Sequence, residues 1–176
     1  TLKWIKTLGS EDSGTPGIEV VSAVETDESG NIYVTGHTSS SFDGNTNLGS
    51  YDAFLVKFNS SGTRLWINQF GTSQEDNANA VVTDSTGNVF VAGSTYGSMN
   101  DYSNVGLKDA FIVKYDSSGT KLLTKTFATS QSDIASGITI DSYRGIIWVS
   151  GNTGGEFFRN TSTGGKDIFI VRKLNY

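Results

Sequence analysis

Phe54, Val56 and Phe58 alternate with Ala53 and Leu55, so this short run is apolar on both of its faces. A strand with one face in water has no need of that pattern, whereas a strand in a sheet covered on both sides does. Comparable runs lie at 66–70, 78–83, 89–94 and 110–115, rich in Val, Ile, Phe and Tyr and bounded by Gly, Ser, Asn and Asp. That combination predicts short strands. No segment sustains a 3.6-residue apolar period, so no helix is expected.

The runs repeat. The turn strings Asp27-Glu28-Ser29-Gly30-Asn31, Asp84-Ser85-Thr86-Gly87-Asn88 and Asp141-Ser142-Tyr143-Arg144-Gly145 start 57 residues apart. Tyr51-Asp52-Ala53-Phe54, Lys108-Asp109-Ala110-Phe111 and Lys166-Asp167-Ile168-Phe169 form a second recurring string, and Ser60-Ser61-Gly62-Thr63 and Ser117-Ser118-Gly119-Thr120 a third. A fixed period of this kind makes each copy one supersecondary unit stacked on its neighbours. Four short antiparallel strands per copy describe a propeller blade, with a solenoid as the alternative architecture. The expected fold is therefore all-β: a β-propeller of four-stranded antiparallel blades, with three repeats in one module over 1–176, at about 1–62, 63–119 and 120–176.

The turns have a chemical basis. In Asp-Ser-Thr-Gly the carboxylate accepts from backbone N–H groups two and three residues on, and the glycine supplies positive φ. This suits a hairpin built on a type I turn with a glycine bulge. Gly30, Gly62, Gly87 and Gly119 are thus expected at positive φ. Asp27, Asp84 and Asp141 become turn caps rather than a ring of metal ligands, and Asp52, Asp109 and Asp167 hold backbone N–H groups at strand starts.

The 66–71 run, the 79–93 run, Asp109-Ala110-Phe111-Ile112-Val113-Lys114-Tyr115 and Ser117-Ser118-Gly119-Thr120 together resemble the bacterial β-propeller repeat family known as SBBP. The resemblance covers nearly the whole chain. The third copy departs most, with Leu123 for the Trp, Ala128 for the Gly and Ile168 for the Ala, and the first carries five extra residues around Pro16. The resemblance implies a propeller within secreted or surface-anchored bacterial proteins, and it implies no activity.

Composition narrows the partners. The 176 residues carry a net charge of −5, one Pro, one Met and 21 Gly. An acidic surface disfavours nucleic acid and anionic membranes, and no apolar run is long enough to span a bilayer. With no Cys there is no disulfide framework or thiolate metal site, and no cofactor is expected. The chain starts at Thr1 with no visible signal peptide, so any export signal or lipid-anchor Cys would lie upstream, and the secreted or cell-surface location is what the family resemblance implies.

Two connections per copy are long and variable, and they fall on one end of the strands, where binding usually resides. This face carries Glu75, Asp76, Tyr96, Tyr102, Asp133, Phe157, Phe158 and Arg159 as candidate ligand contacts. Glu19 joins Asp76 and Asp133 as either an acidic collar at a channel mouth or a set of local loop anchors. Asp43, Asn45 and Asn47 have the alternation of a calcium loop but lack its glycine at the sixth place and its Glu at the twelfth. Lys57, Lys114 and Arg172 are expected in salt bridges between repeats or on solvated edges. His37, the one His, has no local triad partner. The functional expectation is a non-catalytic recognition or scaffold module for a protein or carbohydrate ligand. The alternative is a carbohydrate-active enzyme using loop-face carboxylates.

Three blades do not close a ring, which takes at least about four. Segment 2–8 matches the outermost strand at 66–70, and 168–174 matches a third strand. Two copies are expected to close a six-bladed ring, unless further repeats in a longer parent chain do so.

Overall fold

The computed structural model describes residues 3–9, 17–42, 44–157 and 164–174. Asp43, Phe158, Arg159, Leu2 and Pro16 lie outside the described residues. The described residues contain strands and no helix. They build three antiparallel sheets. The first is β1 (Glu19–Thr26), β2 (Ile32–Thr38), β3 (Asp52–Phe58) and β4 (Arg64–Phe70). The second is β5 (Asp76–Thr83), β6 (Val89–Thr95), β7 (Asp109–Tyr115) and β8 (Lys121–Phe127). The third has three strands: β9 (Asp133–Asp141), β10 (Ile146–Thr153) and β11 (Asp167–Leu174).

The sheets are offset from the sequence repeats. The run at 66–70, which opens the second sequence repeat, is the last strand of the first sheet. A segment that resembles the next repeat therefore completes the previous sheet. β1, β5 and β9 are neighbours across the sheet junctions.

Stacking explains the two-faced apolar runs. Every residue of β3 and of β6 is buried. Tyr33, Ala53 and Leu55 of the first sheet meet Val89, Val91, Phe111, Val113 and Tyr115 of the second. Phe90, Ala92, Ala110 and Ile112 leave the other side of the second sheet to meet Ala135, Ile147, Val149 and Phe169 of the third. Alternate residues of one strand thus serve two different cores.

The turns follow the expected design. Gly30, Gly62, Gly87 and Gly119 have φ of 75°, 79°, 83° and 88°. Asp84 Oδ1 accepts from the N–H groups of Thr86 and Asn88, each at 2.9 Å. The second contact is four residues on rather than three, because the glycine adds a bulge residue before the strand resumes. In the third copy the turn is one residue longer; Asp141 instead accepts from Arg144 N at 3.1 Å and pairs with its guanidinium at 2.9 Å. A Cβ at Gly87 would sit 3.3 Å from the Ser117 Cβ, whereas one at Gly119 would sit 2.9 Å from the Trp66 ring. Gly87→Ala is expected to cost about 1 kcal/mol through strained φ, and Gly119→Ala distinctly more because the ring is also displaced. Urea unfolding of the two variants measures the difference.

Lys57, Lys114 and Arg172 take a role different from the expected salt bridges. Each lies over the aromatic side chain of its own sheet, 5.1 Å from Tyr33, 5.2 Å from Phe90 and 5.8 Å from Trp148. Lys57 Nζ also donates to the Ser117 carbonyl of the next sheet at 3.0 Å.

Candidate functional site

The acids singled out from the sequence divide into two groups. Asp76 and Asp133 are fully buried. Asp76 accepts from Thr72 N at 2.6 Å and from Thr72 Oγ1 at 3.0 Å. Asp133 does the same with Thr129, at 2.5 and 2.9 Å. Neither presents a carboxylate to solvent, so the collar they were candidates for reduces to loop anchoring. Burial raises the Asp76 carboxyl above its ordinary range, the hydrogen bonds from Thr95 and Thr72 oppose this, and nearby Asp52 adds to it. Asp52 is itself buried and accepts from Leu48 N and Gln69 Nε2. Glu19 accepts from Ser40 Oγ at 3.2 Å, a bond from the start of β1 to the connection that follows β2.

The loop aromatics divide likewise. Phe157 is buried and packs on Phe169 with ring centroids 5.0 Å apart. Its equivalents Phe42 and Met99 are buried in the same way, each closing one end of a core. These side chains fasten loops. Tyr102 lies at the outer edge of the second sheet, where its hydroxyl meets Lys125 Nζ. The Asn45 and Asn47 amides donate to the carbonyls of Phe42, Ser39 and Gly49 and thereby organise their own loop.

What converges is a polar and aromatic cluster at the junction of the first and second sheets, on the long-loop end. Glu75 Oε1 pairs with Lys108 Nζ at 3.0 Å, and Asn77 Nδ2 donates to the same oxygen at 2.8 Å. Lys108 Nζ stands 4.7 Å from the Tyr96 ring centre. Tyr51 forms a bridge with Glu75 and carries His37 edge-on at 5.4 Å. Tyr96 is 42% exposed and the Glu75 side chain 36%, so the cluster opens to solvent. Burial alone would raise the Glu75 carboxyl, but the hydrogen bonds from Asn77 and Lys108 and the Lys108 charge outweigh it and hold it ionised, below its usual range. Burial lowers the His37 imidazole; Glu75 opposes that and Lys108 reinforces it, so the ring stays neutral near pH 7.

The repeat supplies an internal control. At the second junction the positions of Glu75, Tyr96 and His37 are Ser132, Gly154 and Ser94. The stacking of the sheets is the same there, so the scaffold does not require the cluster.

A family model described as the SBBP β-propeller repeat matches residues 3–43 and 65–100. These two stretches are SBBP β-propeller repeats. Each matched SBBP stretch runs from an outer segment through the two inner strands of the following sheet, which reproduces the offset seen in the fold. His37 falls in the first match and Glu75, Asn77 and Tyr96 in the second. The chain is also similar to the regulatory protein FlaEY of Caulobacter vibrioides, 26% identical over 192 aligned positions that cover 93% of this chain and 20% of that protein. The chain thus spans about a fifth of the length of that curated relative.

Sequence reasoning picked out Glu75 and Tyr96, weighed His37 only as a triad base, and did not consider Tyr51 and Lys108 as site residues. For His37 and Tyr51 the signal is the departure from the repeat, positions where one copy breaks the pattern on the loop end; Lys108 recurs as Lys166 and is found only through its contacts with Glu75 and Tyr96.

Proposed function

We propose that the chain is a non-catalytic recognition module, a β-propeller wall that binds a protein or carbohydrate ligand through the long-loop end at the first junction. The observation that carries this reading is the Glu75–Lys108–Tyr96 cluster, present at one junction and absent at the other, where Lys166 keeps the lysine but Ser132 and Gly154 stand in place of the acid and the tyrosine. An exposed tyrosine face beside an ionised carboxylate, an ammonium, an amide and a neutral imidazole suits a ligand of hydroxyl and amide groups with some apolar surface. A binding role rather than a hydrolytic one is supported by the acids themselves. Glycoside hydrolysis needs an exposed carboxyl held protonated, and here Glu75 is held ionised while the raised Asp76 and Asp109 are buried behind their loops. The description of the distant relative as a regulatory protein accords with a module that acts by binding. A secreted or cell-surface setting is part of the same proposal and follows the family resemblance.

The test is a printed array of glycans and peptides probed with the protein. Glu75→Ala and Tyr96→Ala are expected to weaken the binding signal ~10-fold or more, as for residues at the centre of an interface. Ser60→Lys and Ser117→Lys, in turns at the opposite end, are expected to leave it unchanged. The reverse pattern would place the binding face at the turn end.

A further inference from the structure

The two outer faces of the three-sheet stack are bare where the inner ones are covered. On the leading face of the third sheet, Ile168 and Ile170 are 80% and 69% exposed, and Trp148 is 38% exposed. Their equivalents are Ala53, Leu55 and Tyr33 in the first sheet, and Ala110, Ile112 and Phe90 in the second; each of these is at most 2% exposed under the next sheet. On the trailing face of the first sheet, Val21 and Val24 are each 63% exposed, whereas their equivalents Ala78 and Val81 are buried. β11 has no outer partner among the described residues.

The segment 3–9 supplies the matching part. Among the described residues it pairs with no strand, yet it lies against the first sheet as β4 lies against the second. A Cβ at Gly62 would touch the Trp4 ring at 2.9 Å, and one at Gly119 would touch the Trp66 ring at 2.9 Å. Leu8 packs on the trailing core of the first sheet, as Phe70 packs on that of the second. The segment therefore occupies the place of the outer strand of a preceding sheet, and Ile5, the counterpart of Ile67, is 71% exposed for want of that sheet.

We infer that a second copy of this chain covers these faces: the third sheet of each copy docks on the first sheet of the other, and each 3–9 segment pairs with the β11 edge of its partner. The junction this creates is the one the chain already makes twice. β4 pairs with β3 so that Trp66 opposes Lys57 and Asn68 opposes Leu55. The same register sets Trp4 against Arg172 and Lys6 against Ile170 across the two copies. The Arg172 guanidinium and Trp148 then lie under Trp4, as Lys57 and Tyr33 lie under Trp66. The two new junctions are identical, so assembly stops at two chains and six sheets, within the range of roughly four to eight blades that closes a ring. Pairing also removes an exposed strand edge.

Light scattering on the 176-residue chain over a range of concentrations tests this. The expected mass is twice the 18.8 kDa of one chain, and Ile170→Asp, at a position exposed in the single chain, is expected to give a monomer with an unchanged circular dichroism spectrum. Because the chain has no Cys, Lys6→Cys with Ile170→Cys is expected to oxidise to a covalent dimer, and Lys6→Cys with Ile168→Cys, two residues out of register, to cross-link far less. A monomer at every concentration, a mass that climbs without a plateau, a dimer that survives Ile170→Asp, or equal cross-linking in both registers would each overturn the inference. The first of these would leave the faces to further repeats of a longer polypeptide.

Discussion

Gly93→Ala is expected to destabilise the protein by ~3–5 kcal/mol, a large share of the 5–15 kcal/mol that holds a typical domain folded. Gly93 lies opposite a bulge in β5, where the register shifts between Ala78 and Ala80. A Cβ there would fall 2.0 Å from the Asn77 carbonyl oxygen and 2.6 Å from Phe111 Cζ. The ring has room to turn aside, but the carbonyl is fixed by the ladder, so the bulge itself must open. Gly36 and Gly151 hold the same place in the other sheets, with Cβ positions 1.8 and 1.9 Å from the Val20 and Ile134 carbonyl oxygens. Gly9→Ala, with nothing within 4 Å of its Cβ, is the neutral control. Chemical denaturation of the variants gives the comparison; a cost below about 1 kcal/mol for Gly93→Ala would mean that the bulge relaxes freely.

Phe111→Ala is expected to cost ~3–5 kcal/mol, the transfer energy of a buried ring plus the cavity left between two sheets. Phe111 is 0% exposed in the core of the first junction, edge-on to Phe70 with centroids 6.1 Å apart. Both sheets are rigid there, so the hole cannot collapse. Ile170→Ala is the contrast. Although apolar and on an equivalent strand, Ile170 faces solvent in the single chain and is expected to change stability by no more than ~0.5 kcal/mol in a monomeric background. Equal losses at the two positions, measured by thermal or urea unfolding, would contradict the assignment of covered and bare faces.

Much of the fold was legible in the sequence because its signals are local and recur. The period gave the number of units, the two-faced apolar runs gave stacked sheets, and Asp-x-x-Gly gave turns whose glycines lie at positive φ. The match of 66–70 to 2–8 anticipated that the last sheet would lack an outer strand, and among the described residues it has three strands. The bulge glycines were not legible as such. What excludes a side chain at Gly93 is the carbonyl of Asn77 on a partner strand, and that contact follows only from the register.

The candidate site was less legible for a similar reason. His37, Tyr51, Glu75, Tyr96 and Lys108 come from five separate stretches and meet only when two sheets stack. Asp76, Asp133 and Phe157 drew attention as loop-end acids and aromatics, but each is buried to fasten its own loop. Residues that recur in each repeat serve the scaffold here, such as Asp76 with Asp133 and Phe42 with Phe157. Glu75, Tyr96 and His37 do not recur, and the candidate site is built of them.

Small-angle X-ray scattering on the chain at concentrations where it self-associates tests most directly whether the three sheets are half of a closed propeller. Two chains closed into one compact body are predicted to give a radius of gyration near 20 Å, with a pair-distance distribution of one symmetric peak and a value independent of concentration. A value near 16 Å, the expectation for a compact single chain, or one that grows with concentration along with a skewed, elongated distribution, would contradict closure and favour a lone stack or an open solenoid.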